Sequence, residues 1–321
     1  MPEGCTARAG EIPVPGVASP LTTPEEDSLD GFHCFCCSSL ATRRCQQPRA
    51  RRLRCARRSG WRPPPRRAAQ NGATVLASSG DDGSSGSKKT PVKQGGTTLP
   101  TPEAGWPASD PLVTGVGGTY LGTDPAATTG RVADSSDQPA KCRSNPGVAE
   151  VGWTFSGGGY SHIFDRPDYQ STLSAGSTAV AGKRGVPDVA LQASAGTGAL
   201  VYLSLPPDGQ GGLSCGDAPC STGWYDIGGT SLACPEWAGM VAIADQLNGG
   251  GLGLINPALY RIGADPVKYA ADFYDVTTGN NTADPAVPGY PATTGWDPVT
   301  GLGTPNAAKL LPDLVAAAHA G

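Results

Sequence analysis

Aromatic residues make up 6% of the 321-residue chain, and it holds two methionines and three histidines. With 46 Gly and 31 Pro, so few large apolar anchors imply many turns and loops around a modest set of regular elements. No run of 18 apolar residues occurs, which excludes an expected transmembrane helix and hence a membrane-embedded role. The N-terminus lacks the basic-then-apolar pattern of a signal peptide, so the sequence names no route of export. His33, His162 and His319 are the three imidazoles, a thin supply for histidine-based chemistry. Among Cys34, Cys36, Cys37, Cys45 and Cys55 no second C-x₂-C pairs with the one formed by Cys34 and Cys37, which argues against a structural zinc site.

What is present is unevenly spread. Residues 1–67 hold 12 Arg and 6 acidic residues, whereas 68–321 hold 12 Lys+Arg and 22 Asp+Glu. Six of the ten cysteines also precede residue 67. Two compositions are therefore joined near that point, an anomalous segment 1–67 and an ordered domain 68–321. No helical or strand period runs through the first. It reads as a nucleic-acid-binding arm, a disordered tail, or the product of a shifted reading frame in GC-rich DNA. The acidic remainder argues against nucleic acid as a partner. The shifted frame is the expectation.

The domain is organised around Gly228-Gly229-Thr230-Ser231-Leu232-Ala233-Cys234-Pro235. Two glycines form a tight turn, and apolar residues then continue to Ala244 before Gly249-Gly250. This predicts a central helix that is buried on all sides, with Pro235 tolerated near its start and Gly249 as its stop. Ser231 on its first turn sits where backbone N–H groups favour negative charge, as a nucleophile whose attack creates an oxyanion would need. A serine cap on a core helix is the plainer alternative.

Upstream, Ala73–Ser78 reads as a buried strand ending in Ser79-Gly80-Asp81. Ligands of open α/β sheets sit at the carboxyl ends of strands, which places Asp81 well for function, although an acidic turn is the more common fate of Gly-Asp-Asp-Gly. Residues 84–105 read as a surface insertion, and Leu112–Val116, Val151–Phe155, Val186–Leu191 and Ala199–Leu203 as strands. Gly157-Gly158-Gly159 suggests close backbone approach, for instance to a substrate chain. Cys215 and Cys220 bracket a short loop and are spaced to allow a bridge. The alternation favours a mostly parallel sheet. Two acidic residues in Gly-rich loops, Asp275 and Asp297, suit calcium, a hard cation that takes carboxylate and backbone oxygens.

In chain order, Ser79-Gly80-Asp81, Trp106-Pro107-Ala108-Ser109, Val116-Gly117-Gly118-Thr119, Gly157-Gly158-Gly159-Tyr160-Ser161, Pro187-Asp188-Val189, Gly229-Thr230-Ser231 with Pro235, and Gly295-Trp296-Asp297-Pro298 resemble the sedolisin family of serine-carboxyl peptidases. The resemblance implies an α/β, subtilisin-like fold: a mostly parallel sheet flanked by helices, here with its N-terminal part missing or disrupted. It implies a serine-type endopeptidase acting at acid pH on protein or peptide substrates. Ser231 is then the nucleophile, and a protonated Asp81 donates to the oxyanion. One Ca²⁺ is held by Asp275 and Asp297 and by the carbonyls of Val276, Thr293 and Gly295. An extracellular, monomeric protein is expected.

The family's general base and its partner lie on one helix as Glu-x-x-x-Asp, an i, i+4 spacing that puts both carboxylates on one face. Glu26 and Asp30 are the one such pair upstream, although the sequence after Asp30 does not continue the family pattern. The usual serine before Gly-Thr-Ser is Gly228, and the family's prosegment is not recognisable. No subtilisin-like His-Gly-Thr motif occurs, so a Ser-His-Asp triad is not expected. A relative that binds calcium but catalyses nothing is the alternative.

Overall fold

The computed structural model describes residues 35–37, 64–86, 101–122, 150–173, 182–205, 214–215, 218–219 and 221–320. All lie in the unit Gly31–Gly321. A five-stranded sheet carries it: β1 (Phe35–Cys37), β2 (Val75–Ser78), β3 (Thr114–Leu121), β4 (Glu150–Gly152) and β7 (Val189–Gln192). β1, β2, β3 and β7 pair in parallel, while β4 runs antiparallel to β3. The expected mostly parallel sheet is thus present. Strand β1 and the first four residues of helix α1 (Pro64–Gln70) lie in the stretch where no period was legible.

The remaining strands form small satellites. β5 (Gly159–Asp165) pairs with β6 (Lys183–Val186), β8 (Ala199–Leu203) with β11 (Gly223–Ile227), and β9 (Ser214–Cys215) with β10 (Ala218–Pro219). Four further helices follow: α2 (Thr230–Asn248), α3 (Asn256–Ala264), α4 (Pro266–Asp272) and α5 (Ala307–Ala318). Between the last two, β12 (Phe273–Tyr274) pairs with β13 (Thr304–Pro305). The main core joins Leu76, Val116 and Val189 of the sheet to Trp237 and Val241 of α2, Leu259 and Tyr260 of α3, and Leu310 and Leu314 of α5.

Three expectations are corrected. The strand expected over Val151–Phe155 ends at Gly152, because the chain turns at Ser156, whose N–H reaches the Trp153 carbonyl at 2.9 Å. That turn carries Gly157 away from the sheet. The polar stretch after residue 84 begins buried rather than on the surface. Ser84 N–H donates to the Asn281 carbonyl at 2.9 Å and Ser85 Oγ to the Thr101 carbonyl at 3.0 Å. Third, α2 is not buried all round. Leu232, Ala233, Cys234, Trp237, Val241, Ala244 and Asp245 face the core, while Ser231, Pro235, Gly239, Ala242, Ile243 and Leu247 are exposed. The sheet covers one side of this helix, and an apolar composition cannot tell which side that is.

One feature of α4 sets how stability varies with pH. Its last residue, Asp272, is 1% exposed, and neither carboxyl oxygen finds a donor. Burial and the facing carboxyl of Asp313, itself bridged by Lys268 Nζ at 3.1 Å, push its pKa up from 3.8 to about 6. A carboxyl with a raised folded pKa stabilises fully below its unfolded value and loses that contribution as pH rises through its folded value. Stability should therefore fall between about pH 4 and 6. Glu150, Asp245 and Asp297 are pushed the same way by burial. Asp272→Asn is expected to gain on the order of 1–3 kcal/mol at pH 7 and little below pH 4. Urea unfolding at both pH values tests this, and an equal effect at each would refute it.

Candidate active site

The turn after β2 meets the start of α2. Ser78 Oγ donates to the Thr230 carbonyl at 3.0 Å, and Gly80 N–H donates to Thr230 Oγ1 at 3.2 Å. Asp81 Oδ1 accepts from the Thr230 N–H at 2.8 Å and from its hydroxyl at 2.9 Å. A carboxylate 149 residues upstream thus caps the N-terminus of α2, where it also meets the positive end of the helix dipole. The residue in the cap position, Gly229, makes no side-chain cap of its own.

The glycines before Ser231 are held by this contact. Gly229 has φ +90°, and a Cβ there would lie 2.5 Å from Asp81 Oδ2. A Cβ on Gly228 would lie 2.5 Å from the Ala195 nitrogen and 2.7 Å from the Ala193 carbonyl. Neither glycine has room for a Cβ in this structure. Ser231 follows as the second residue of α2, exposed between buried Thr230 and Leu232. Among the described residues its hydroxyl makes no hydrogen bond.

The three consecutive glycines do serve close approach, but to the protein's own backbone. Gly157 N–H donates to the Gly80 carbonyl at 2.8 Å, and a Cβ on Gly157 would lie 2.2 Å from the Ser79 carbonyl oxygen. A Cβ on Gly158 would lie 1.9 Å from the Pro298 carbonyl oxygen. The run therefore locks the Asp81 turn to the loop that carries Asp297.

That loop and the one after β12 come together. Gly295 N–H points at both oxygens of Asp275, 3.2 and 3.0 Å away. Asp297 is fully buried. Its Oδ1 accepts from the Val299 and Thr300 N–H groups at 2.8 and 2.9 Å, and its Oδ2 from the Thr293 N–H at 3.0 Å. Burial pushes its pKa up to about 6 against those donors. The Thr293 hydroxyl is buried with no hydrogen-bond partner. Two carboxylates and an orphaned hydroxyl form an all-oxygen set, which fits a hard cation such as Ca²⁺. No cluster of three or more His, Cys, Asp or Glu exists among the described residues, so further ligands would have to be carbonyls, as Val276, Thr293 and Gly295 allow.

Sequence reasoning missed a buried network beside the site. Arg184 and Asp188 are both fully buried and pair through two bonds of 2.8 and 2.6 Å. Asp188 also accepts from the Gly115 N–H at 2.7 Å and the Tyr260 hydroxyl at 2.8 Å. The i, i+4 spacing of Arg184 and Asp188 was the available signal, but it falls across a strand end rather than on a helix. Tyr269 was missed as well; burial and the neighbouring Asp275 and Asp297 raise its pKa. His162 and His319 are exposed and bond to the Pro102 carbonyl and to Asn248, respectively. Glu26, Asp30, His33 and Cys220 lie outside the described residues.

A mostly parallel sheet with a helix started by Thr230-Ser231 and capped by the Asp81 carboxylate is a subtilisin-like α/β architecture. The chain is similar to proteins of the sedolisin family over about 65% of its length. It is 33% identical over 216 residues to Kumamolisin from Bacillus sp. (strain MN-32), covering 66% of this chain and 33% of that protein. It is 36% identical over 208 residues to Sedolisin from Pseudomonas sp. (strain 101), covering 64% and 29%. Tripeptidyl-peptidase 1 of Bos taurus is 30% identical over 229 residues, covering 65% and 33%. The solved structure of Pseudomonas sedolisin, a serine-carboxyl proteinase complexed with two molecules of pseudo-iodotyrostatin, superposes with a TM-score of 0.55 at 28% identity. That match covers 78% of this chain and 58% of the solved one. The chain spans about a third of the length of these curated relatives. No family model matches it.

Proposed function

We propose that this protein is a serine-type endopeptidase that hydrolyses protein or peptide substrates in acid, outside the cell. The observation that carries the reading is the Asp81 carboxyl fixed on the N-terminus of α2, next to exposed Ser231. Ser231 Oγ attacks the scissile carbonyl carbon and passes its proton to a glutamate base, for which Glu26, oriented by Asp30, is the candidate. Protonated Asp81 donates to the oxyanion that forms. The C–N bond then breaks, the amine leaves with the proton, and water releases the acyl group from Ser231.

One Ca²⁺ held by Asp275, Asp297 and the carbonyls of Val276, Thr293 and Gly295 would tie the two C-terminal loops together. It would act on stability rather than on the reaction. Adding calcium at a hundred times its dissociation constant should then stabilise by about 2.7 kcal/mol. Asp297→Asn should abolish that gain in a calcium titration of the thermal midpoint. A midpoint indifferent to calcium in the parent protein would remove the ion from the proposal.

The second reading is a calcium-binding relative without turnover, since the sequence after Asp30 does not continue the family pattern around the base. Incubation with a peptide p-nitrophenyl ester at about pH 4, quenching, and peptide mapping by mass spectrometry separates the two readings. An acyl adduct on the Ser231 peptide supports the peptidase. An adduct elsewhere, or none, supports the inactive relative.

A further inference from the structure

The turn that carries Asp81 is held from outside itself. Ser79 N–H donates to the Val116 carbonyl at 2.9 Å, Gly157 N–H to the Gly80 carbonyl at 2.8 Å, and Gly83 N–H to the Phe155 carbonyl at 3.0 Å. Gly80 and Gly83 have φ of +116° and +70°, a backbone region whose permissiveness leaves the path of the chain to be fixed by such bonds. The last tie is Ser84 N–H, which reaches the Asn281 carbonyl at 2.9 Å. A Cβ on Gly83 would lie 2.5 Å from that same carbonyl oxygen, so the two backbones are in contact.

Asn281 is fully buried and joins this turn to two further segments. Its Nδ2 donates to the carbonyls of Ser156 at 3.1 Å and of Gly158 and Pro298 at 3.4 Å. Its Oδ1 accepts from the Tyr290 N–H at 2.8 Å, and its own N–H donates to the Tyr290 carbonyl at 3.1 Å. A side-chain amide offers two N–H donors and one acceptor oxygen. Reversing it would set an oxygen against three carbonyls, so the surroundings fix its orientation. An apolar side chain of the same size could meet none of these groups, and buried polar groups left unpaired are costly. Ser156 and Gly158 flank Gly157, which holds Gly80. Asn281 therefore grips the Asp81 turn twice, through Ser84 and through the glycine run. Asp81 in turn accepts from the Thr230 N–H at the start of α2.

We propose that Asn281 is a positioning residue for Asp81. By holding both flanks of the turn it keeps the carboxyl on the N-terminus of α2, beside Ser231. The geometric claim stands on the contacts above; its consequence for turnover rests on the proposed reading of Asp81 as the oxyanion donor. A misplacement of about 1 Å at such a group can cost on the order of 10²-fold in rate.

Amide hydrogen exchange, followed residue by residue, tests the contact without reference to turnover. In Asn281→Ala the Thr230 N–H, released from Asp81, is expected to exchange about tenfold faster than in the parent, while the Trp237 N–H deeper in α2 keeps its rate. A purely structural loss would speed both alike. Asn281→Asp at about pH 4 keeps one O–H donor and one acceptor oxygen, and should restore most of the protection. The same two rates in Asn281→Ser, the milder variant, carry the test if the alanine variant does not fold. On a peptide substrate in acid, Asn281→Ala should lower kcat by about 10–10²-fold with KM within about twofold. Thr230 exchange that is unchanged, or that rises only in step with Trp237, overturns the proposal, as does faster exchange with undiminished kcat. Faster Thr230 exchange in the variant, beside a parent without Ser231-dependent turnover, supports the positioning role and removes the peptidase reading instead.

Discussion

Replacing Asp188 by alanine is expected to cost about 3–5 kcal/mol and to leave little folded protein. The substitution removes one carboxylate but orphans several groups at once. Arg184, fully buried, loses both bonds to it. The Gly115 N–H and the Tyr260 hydroxyl lose their acceptor, and each unsatisfied buried donor adds about 1–3 kcal/mol of desolvation cost. Gly115 lies in β3, the strand that pairs with β2, β4 and β7, so the damage reaches the centre of the sheet. Against a typical stability of about 5–15 kcal/mol, the loss is large. Urea unfolding measures it, and a cost below about 1 kcal/mol would show that the pair is not the tie described. Replacing Arg184 and Asp188 together by apolar residues should cost less than Asp188→Ala alone, because no uncompensated charge then stays buried.

On the proposed reading, Ser231→Ala should lower turnover by about 10⁵–10⁶-fold, while stability changes little because the side chain is exposed and makes no hydrogen bond among the described residues. Asp81→Asn should lower kcat by about 10²–10³-fold, the usual cost of a lost oxyanion donor. Asparagine keeps an oxygen to accept from Thr230, so the cap survives; Asp81→Ala should cost a further ~1 kcal/mol of stability. The double variant Ser231→Ala with Asp81→Asn should be no slower than Ser231→Ala alone, since the two groups act on one intermediate. Kinetics on a peptide substrate at acid pH read all of these effects. Undiminished cleavage by Ser231→Ala would end the assignment of the nucleophile.

The parts of the site legible in the sequence were those set by local backbone chemistry. Gly228-Gly229 predicted a tight turn, and Gly229 has φ +90°. Gly249 predicted a helix stop, and it caps α2 in the left-handed conformation. The apolar run before Ser79 predicted a strand, and β2 ends at Ser78. In each case one residue type relaxes or satisfies a constraint on its immediate neighbours. The triple glycine was read correctly as a close approach, but the partner was not. A missing Cβ reveals that something is near without revealing what, and the neighbours proved to be Ser79 and Pro298.

The sequence alone therefore determined the turn at Gly228-Gly229, the end of β2 and the stop of α2, because those follow from φ preferences and hydrogen-bonding needs within a few residues. Its motifs, in their order, also carried the resemblance to the family. Tertiary structure alone decided that Asp81 caps a helix 149 residues away, that Arg184 and Asp188 share one buried pocket, and that Asp272 faces Asp313. It alone decided that half of α2 lies open. Hydrophobic burial is non-directional: an apolar helix can be covered on any side, and the sheet that covers this one is assembled from strands distant in the chain.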